Sequence, residues 1–195
     1  MGQPAPSLRD HFTYGDYCAW DDGERWELID GQAFCMSPAP TRMHQEILGG
    51  LHAQIYNQLA GKPCRVYMAP FDIRLPKRDE ADELIDTVVQ PDISVICESK
   101  KLDDRGCRGA PDWIIEILSP STARRDQIRK RALYEREGVR EYWLVHPMDR
   151  VLYIYRLEGE RYGPPEILPT EGITVVACLP GVEIDWDAVF IAEAD

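Results

Sequence analysis

Apolar residues recur every four positions at Ile47, Leu51, Ile55 and Leu59, a stripe that predicts an amphipathic helix over residues 42–60. Gly61-Lys62-Pro63 ends it, because proline cannot continue a helix. Upstream, Thr13 can cap a short helix through Trp20. The runs 25–29 and 32–36 read as two strands joined by Asp30-Gly31, a two-residue hairpin signal because both turn positions need positive φ. Val66 to Leu75 reads as a strand broken at Ala69-Pro70, with Phe71, Ile73 and Leu75 alternating with polar residues, so a bulge or edge position is expected. Residues 76–90 are charged and irregular and read as a loop.

Two short runs then break the alternation. Asp92-Ile93-Ser94-Val95-Ile96-Cys97 and Trp113-Ile114-Ile115-Glu116-Ile117-Leu118 are apolar on both faces, which suits central strands covered on both sides. Ser119-Pro120-Ser121-Thr122 stops the second and offers hydroxyl caps for a helix through about Glu137, with Gly138 as its stop. Tyr142 to Val145 is the next strand, Val151 to Tyr155 and the segments after it read as hairpins, and Trp186 to Ile191 as a last short helix. The order predicts a mixed α/β domain, with an N-terminal β-hairpin, a central helix, three strands, a helix and a strand, and a β-rich C-terminal tail.

A hydrophobic share of 44% and a charged share of 29% over 195 residues suit one globular domain spanning 1–195. No apolar run has the length of a membrane span, and the N-terminus lacks the basic and apolar regions of a signal peptide, so a cytoplasmic protein is expected. Six cysteines form no C-x-x-C pair and, with four histidines, no zinc spacing, and are read as reduced and buried. The net charge of −12 argues against indiscriminate polyanion binding, but residues 99–140 carry eleven Lys/Arg against seven Asp/Glu, +4 against −16 elsewhere. A local basic face on an acidic body, with Arg124 and Arg125 in it, is one reading; ordinary solvated charge is the other.

Candidate chemistry centres on Glu116. A carboxylate inside a core strand loses its hydration, at a cost of order several kcal/mol, unless a metal ion or a cation partner offsets it. Asp92 opens the neighbouring apolar strand, and two short strands with one carboxylate each can present both at one end of a sheet. Mg²⁺ favours such a pair, with water and substrate phosphate completing its octahedron. Lys130 lies in the next helix, spaced i, i+4 from Asp126, either an ordinary surface pair or an active-site ammonium. Glu27 in the hairpin and His44 at the start of the long helix are further candidates, each with a structural alternative.

These residues carry a resemblance. Arg25-Trp26-Glu27-Leu28-Ile29-Asp30-Gly31, Ser37-Pro38, His44, Gln90-Pro91-Asp92-Ile93, the run Pro111 to Thr122, Asp126, Lys130, Tyr134, the run Gly138 to Val145 and Leu179-Pro180-Gly181 stand in an order similar to that of the Uma family of bacterial restriction-endonuclease-like proteins. That family sits in the PD-(D/E)XK nuclease superfamily, so the resemblance implies a restriction-endonuclease-like core of helix, three strands, helix and strand. It implies Asp92 and Glu116 as ligands of Mg²⁺ or Mn²⁺, DNA as substrate, Lys130 assisting, and a homodimer, for which the aromatic-rich tail (Tyr153, Tyr155, Tyr162, Trp186) offers apolar surface unless it simply covers the core. The superfamily's usual lysine position, two residues after the glutamate, is Leu118 here, and Lys130 is the replacement the resemblance suggests. Two functions are open: a metal-dependent endodeoxyribonuclease, or a nuclease-fold binding or regulatory module that does not cut.

Overall fold

The computed structural model describes residues 11–36, 40–120, 123 and 125–190. Helix α1 (Tyr14–Cys18) starts on Thr13, which exchanges side-chain and backbone hydrogen bonds with Asp16 in a capping box. Strands β1 (Trp26–Ile29) and β2 (Gln32–Cys35) form the hairpin, with Asp30 at φ 50° and Gly31 at φ 76°. A Cβ at Gly31 would also enter the His11 ring. Helix α2 (Arg42–Leu59) starts on the Thr41 hydroxyl and buries Ile47, Leu48, Leu51, Ile55 and Leu59.

The next strands are β3 (Arg65–Met68), β4 (Ile73–Arg74), β5 (Val88–Val89), β6 (Ile93–Ile96), β7 (Leu102–Asp103), β8 (Gly106–Arg108) and β9 (Trp113–Ile117). A π-helical turn, Arg125–Lys130, runs into α3 (Arg131–Glu137), which Gly138 stops at φ 81°. Strands β10 (Glu141–His146), β11 (Val151–Glu158), β12 (Arg161–Tyr162), β13 (Glu166–Pro169), β14 (Ile173–Val175) and β15 (Glu183–Asp185) and helix α4 (Trp186–Val189) complete the chain. From α2 to β10 the main sheet and its helices keep the expected order of helix, three strands, helix, strand.

The main sheet runs β12-β11-β10-β9-β6-β3, with β13 also on β11, and only β9 and β10 in it are parallel. One face packs Trp113, Ile115 and Trp143 against α2, α4 and the β14–β15 hairpin. The other packs Ile114, Tyr142 and Leu144 against α3 and a second sheet ordered β2-β1-β5-β4-β8-β7. Strands β6 and β9 are therefore sandwiched, which is why their sequences are apolar on both faces. Among the described residues no helix is long and apolar enough to cross a membrane.

The structure differs from several expectations. The run from Val66 to Leu75 breaks at Ala69–Pro70 as expected, and β3 is an edge strand, but the break separates two sheets and does not bulge one strand: the chain leaves the main sheet after Met68, passes a cis Ala69–Pro70 bond, and joins the second sheet as β4. Residues 76–90 are not all loop, because Asp82–Leu84 form a 3₁₀ turn and β5 bridges β1 and β4. The cysteines are not uniformly reduced and buried. The β3–β6 register sets Arg65 opposite Ile96, so Cys64 and Cys97 face each other one residue on, and they form a disulfide; Cys18 and Cys35 are exposed, and only Cys107 and Cys178 are buried free thiols. The tail aromatics are mostly spent on the core: Trp186 and Tyr162 are buried and Tyr153 and Tyr155 are half-buried. The exposed apolar side chains of the tail are instead Ile167, Ile173 and Val175.

Candidate active site

Register brings the two candidate carboxylates together. Strands β6 and β9 pair antiparallel with Ile93 opposite Ile115, so one residue further Asp92 stands opposite Glu116. The Asp92 backbone N–H donates to Glu116 Oε2 at 3.4 Å, and Asp92 Oδ2 accepts from the Ile117 N–H at 2.7 Å. His44, in the first turn of α2, sets its Nε2 3.2 Å from the same Oδ2. Burial alone would lower the His44 pKa, but its bond to Asp92 and that carboxylate's charge more than reverse the effect and raise it.

Alternation along β9 turns Ile114, Glu116 and Leu118 toward α3, and the two apolar members pack with Leu133 and Tyr134. Leu118 thus continues the core at the position where a lysine was absent. The cation comes from the π-helical turn: Lys130 Nζ lies 2.8 Å from Glu116 Oε1 and 2.8 Å from Glu27 Oε1. Asp126, Lys130 and Tyr134 lie on one face of the helical segment; Lys130 is 3.7 Å from Asp126 Oδ1, and the Tyr134 hydroxyl donates to Glu116 Oε1 at 3.2 Å. The Asp126–Lys130 pair is therefore buried and not the surface pair its spacing allowed.

Glu27 reaches this cluster from β1. Its Oε1 accepts the Gln90 backbone N–H at 2.9 Å, and its Oε2 lies 3.9 Å from an Arg125 guanidinium nitrogen. Arg125 also donates to the Cys35 carbonyl at 3.3 Å. Glu27 Oε2 and His44 Nδ1 are buried atoms with no hydrogen-bond partner among the described residues.

The cluster holds more negative than positive charge. Glu27, Asp92, Glu116 and Asp126 meet one buried ammonium, with Arg125 at the edge and the His44 imidazole on Asp92. Burial pushes the Glu116 carboxyl well above the usual range; Lys130 opposes this, and Asp126, Asp92 and Glu27 reinforce it. Burial would also lower Lys130, but Glu116, Glu27 and Asp126 hold its ammonium well above the ordinary value, so it stays protonated. Among the described residues no three His, Cys, Asp or Glu side chains are gathered to hold a metal on their own. Mg²⁺ does not need three, since two carboxylates with water and phosphate suffice. Two opposed carboxylates, an orphaned Glu27 oxygen and a surplus of negative charge fit a hard cation.

The structure thus gathers Asp92, Glu116, Lys130, Glu27 and His44. The sequence pattern did not place Tyr134 or the Gln90 N–H at this centre, and it left Asp126 as a surface partner. The signal available was the four-residue spacing of Asp126, Lys130 and Tyr134. The basic stretch 99–140 is less open than its count suggests: Lys100 and Lys101 pair with Glu98, Arg108 with Asp82, Arg131 with Glu135, Arg136 with Asp30 and Arg140 with Asp112. Ser37, Pro38, Ser121, Thr122, Arg124 and Ile191 lie outside the described residues.

Comparison with known proteins places these features. The family model Uma2, described as "Putative restriction endonuclease", matches residues 14–187. A solved structure, titled a putative nuclease belonging to DUF820 from Anabaena variabilis, superposes with a TM-score of 0.71 at 20% identity, covering 92% of this chain and 97% of that one. An "Uncharacterized protein slr1290" from Synechocystis sp. is 25% identical over 132 residues, 67% of this chain, and the match spans 65% of that protein's length.

Proposed function

The chain belongs to the Uma2 family, and from that premise we propose that it is a metal-dependent endonuclease that hydrolyses DNA phosphodiester bonds. The observation that supports this best is the register opposition of Asp92 and Glu116 beside a buried, protonated Lys130. In this reading Asp92 and Glu116 would hold Mg²⁺ or Mn²⁺. When bound, such an ion polarises the phosphodiester and lowers the pKa of an attacking water. Lys130 stabilises negative charge developing on phosphate, or orients the water, as a fixed ammonium in a water-poor site. Glu27 holds Lys130 as a second carboxylate partner beside Glu116. His44 and the Ile117 N–H fix the Asp92 carboxylate.

DNA reaches the centre from the Arg125 side, where Arg124 lies beside it in sequence. The body around it is acidic, so binding is weak and falls steeply with salt. Two copies pair to cut both strands, with Ile167, Ile173 and Val175 as the apolar surface on offer. The second reading, a binding or regulatory module that does not cut, draws support from Leu118 and from a Lys130 already bonded to two carboxylates. Nicking and linearisation of supercoiled plasmid by the pure protein separates the two. The endonuclease reading expects cleavage with Mg²⁺, none in chelator and none from Asp92→Ala; intact plasmid under all conditions leaves the non-cutting module.

A further inference from the structure

The face of the β1–β2 hairpin that carries Glu27 also carries Ile29, Gln32 and Phe34, because residues two apart and residues in register share a side of a sheet. Between this face and the helical segment 125–137 lies a pocket of about 290 Å³. Ile29, Ala132 and Leu133 line it beside Phe34. At one end Phe34 lies under the Arg129 guanidinium, 4.8 Å from ring centroid to carbon. At the other, Arg136 makes two 3.0 Å hydrogen bonds to Asp30.

The pocket adjoins the candidate catalytic centre. Phe34 is the register partner of Glu27, and Arg129 immediately precedes Lys130. Its volume is at the small end for ligand pockets and far too small for a duplex, but it suits one nucleotide. An aromatic ring half-open to solvent is a stacking platform for a base, and base stacking is tolerant of sequence. Arg136 has Asp30 as partner, whereas Arg129 is exposed and, among the described residues, is held by the Phe34 ring and by no carboxylate. A guanidinium held only by a ring is free to exchange that contact for a phosphate, which it meets with two parallel N–H donors.

We propose that this pocket binds one unpaired nucleotide next to the scissile phosphate, the base stacked on Phe34 and the phosphate held by Arg129. The proposal rests on the nuclease reading for its position, and it adds that the preferred substrate is single-stranded or carries an extruded nucleotide.

The test measures binding in chelator, so that cleavage plays no part. Fluorescence anisotropy compares a labelled eight-nucleotide oligothymidylate with an abasic oligomer of the same length and charge. The expected result is at least about tenfold tighter binding of the base-bearing strand by the wild type. Phe34→Ala loses that preference and Phe34→Tyr keeps it. Arg129→Gln, at an exposed position, weakens both ligands severalfold and lowers the salt slope by about 0.7, as expected for one lost phosphate on a single strand. Equal binding of the two oligomers by the wild type overturns the proposal. A folded Phe34→Ala that keeps the preference, or an Arg129→Gln with unchanged affinity and slope, does the same. Should Phe34→Ala not fold, the wild-type comparison and Arg129→Gln decide. Failure of plasmid cleavage would remove the nuclease reading while leaving this binding result standing, and normal cleavage with no base preference would do the reverse.

Discussion

Replacing Lys130 with Met leaves an unbranched side chain one heavy atom shorter and removes the charge and the donors. The ammonium makes 2.8 Å contacts to both Glu116 and Glu27, and Lys130, Glu116 and Glu27 are 3%, 4% and 0% exposed. Deleting one member of a buried ionic cluster strands its partners without solvent, a loss of about 3–5 kcal/mol. In a domain of this length each kcal/mol moves the melting temperature by about 2–4 °C, so the fall is roughly 6–20 °C. Glu116→Gln acts differently. Gln keeps an acceptor for Lys130 and Tyr134 while removing one negative charge from a cluster whose burial already disfavours it. Its cost is below about 1 kcal/mol, and the double variant recovers at least about 1 kcal/mol of the Lys130→Met loss through the coupling of neighbours. Urea unfolding followed by circular dichroism in chelator measures all three. A Lys130→Met variant within about 1 kcal/mol of wild type, or a Glu116→Gln variant as damaged as Lys130→Met, refutes the charge-surplus argument.

Three further outcomes are expected. The Arg136 bond holds the Asp30 carboxyl below its ordinary range, so its contribution is present above about pH 4 and lost as pH falls through the depressed folded value. The stability gap between wild type and Asp30→Asn should therefore close on acidification, and a gap independent of pH would count against the pair; the effect is small because both groups are half-exposed. Alkylation of the unfolded, unreduced protein should label four of the six cysteines, leaving Cys64 and Cys97, and reduction should lower stability by about 2–4 kcal/mol. Six labelled cysteines would show the thiols reduced. Sedimentation equilibrium should give a dimer that Ile173→Lys with Val175→Lys converts to monomer; monomer alone at micromolar concentration would remove the pairing.

Local sequence signals carried much of the site. Glu116 stands out because it interrupts an apolar strand, Asp30-Gly31 specifies its turn, and the α2 stripe has one period throughout. Each is decided by residues within a few positions of one another. Beyond the β1–β2 hairpin the second sheet was not legible, because β4, β5 and β7 have two residues each and β8 three, too short to show alternation. The Cys64–Cys97 bond depends on a pairing of β3 with β6 that no local spacing encodes. Glu27 joins Lys130 across a sheet–helix interface, so its role in the cluster emerges only from packing. Charge counting along 99–140 overstated the open basic surface because several partners, Asp30, Asp82 and Glu98, come from elsewhere in the chain, and Glu135 and Asp112 inside the stretch are each spent on an arginine.

The nuclease reading requires Asp92 and Glu116 to hold a divalent ion jointly. Titration with Mn²⁺ followed by electron paramagnetic resonance tests it without depending on a DNA substrate, because bound Mn²⁺ loses the signal of the free ion. Wild-type protein should bind Mn²⁺ saturably, with the ion displaced by excess Mg²⁺ and binding lost in both Asp92→Ala and Glu116→Gln. Wild-type protein that binds no Mn²⁺, or binding that survives both substitutions, would contradict it.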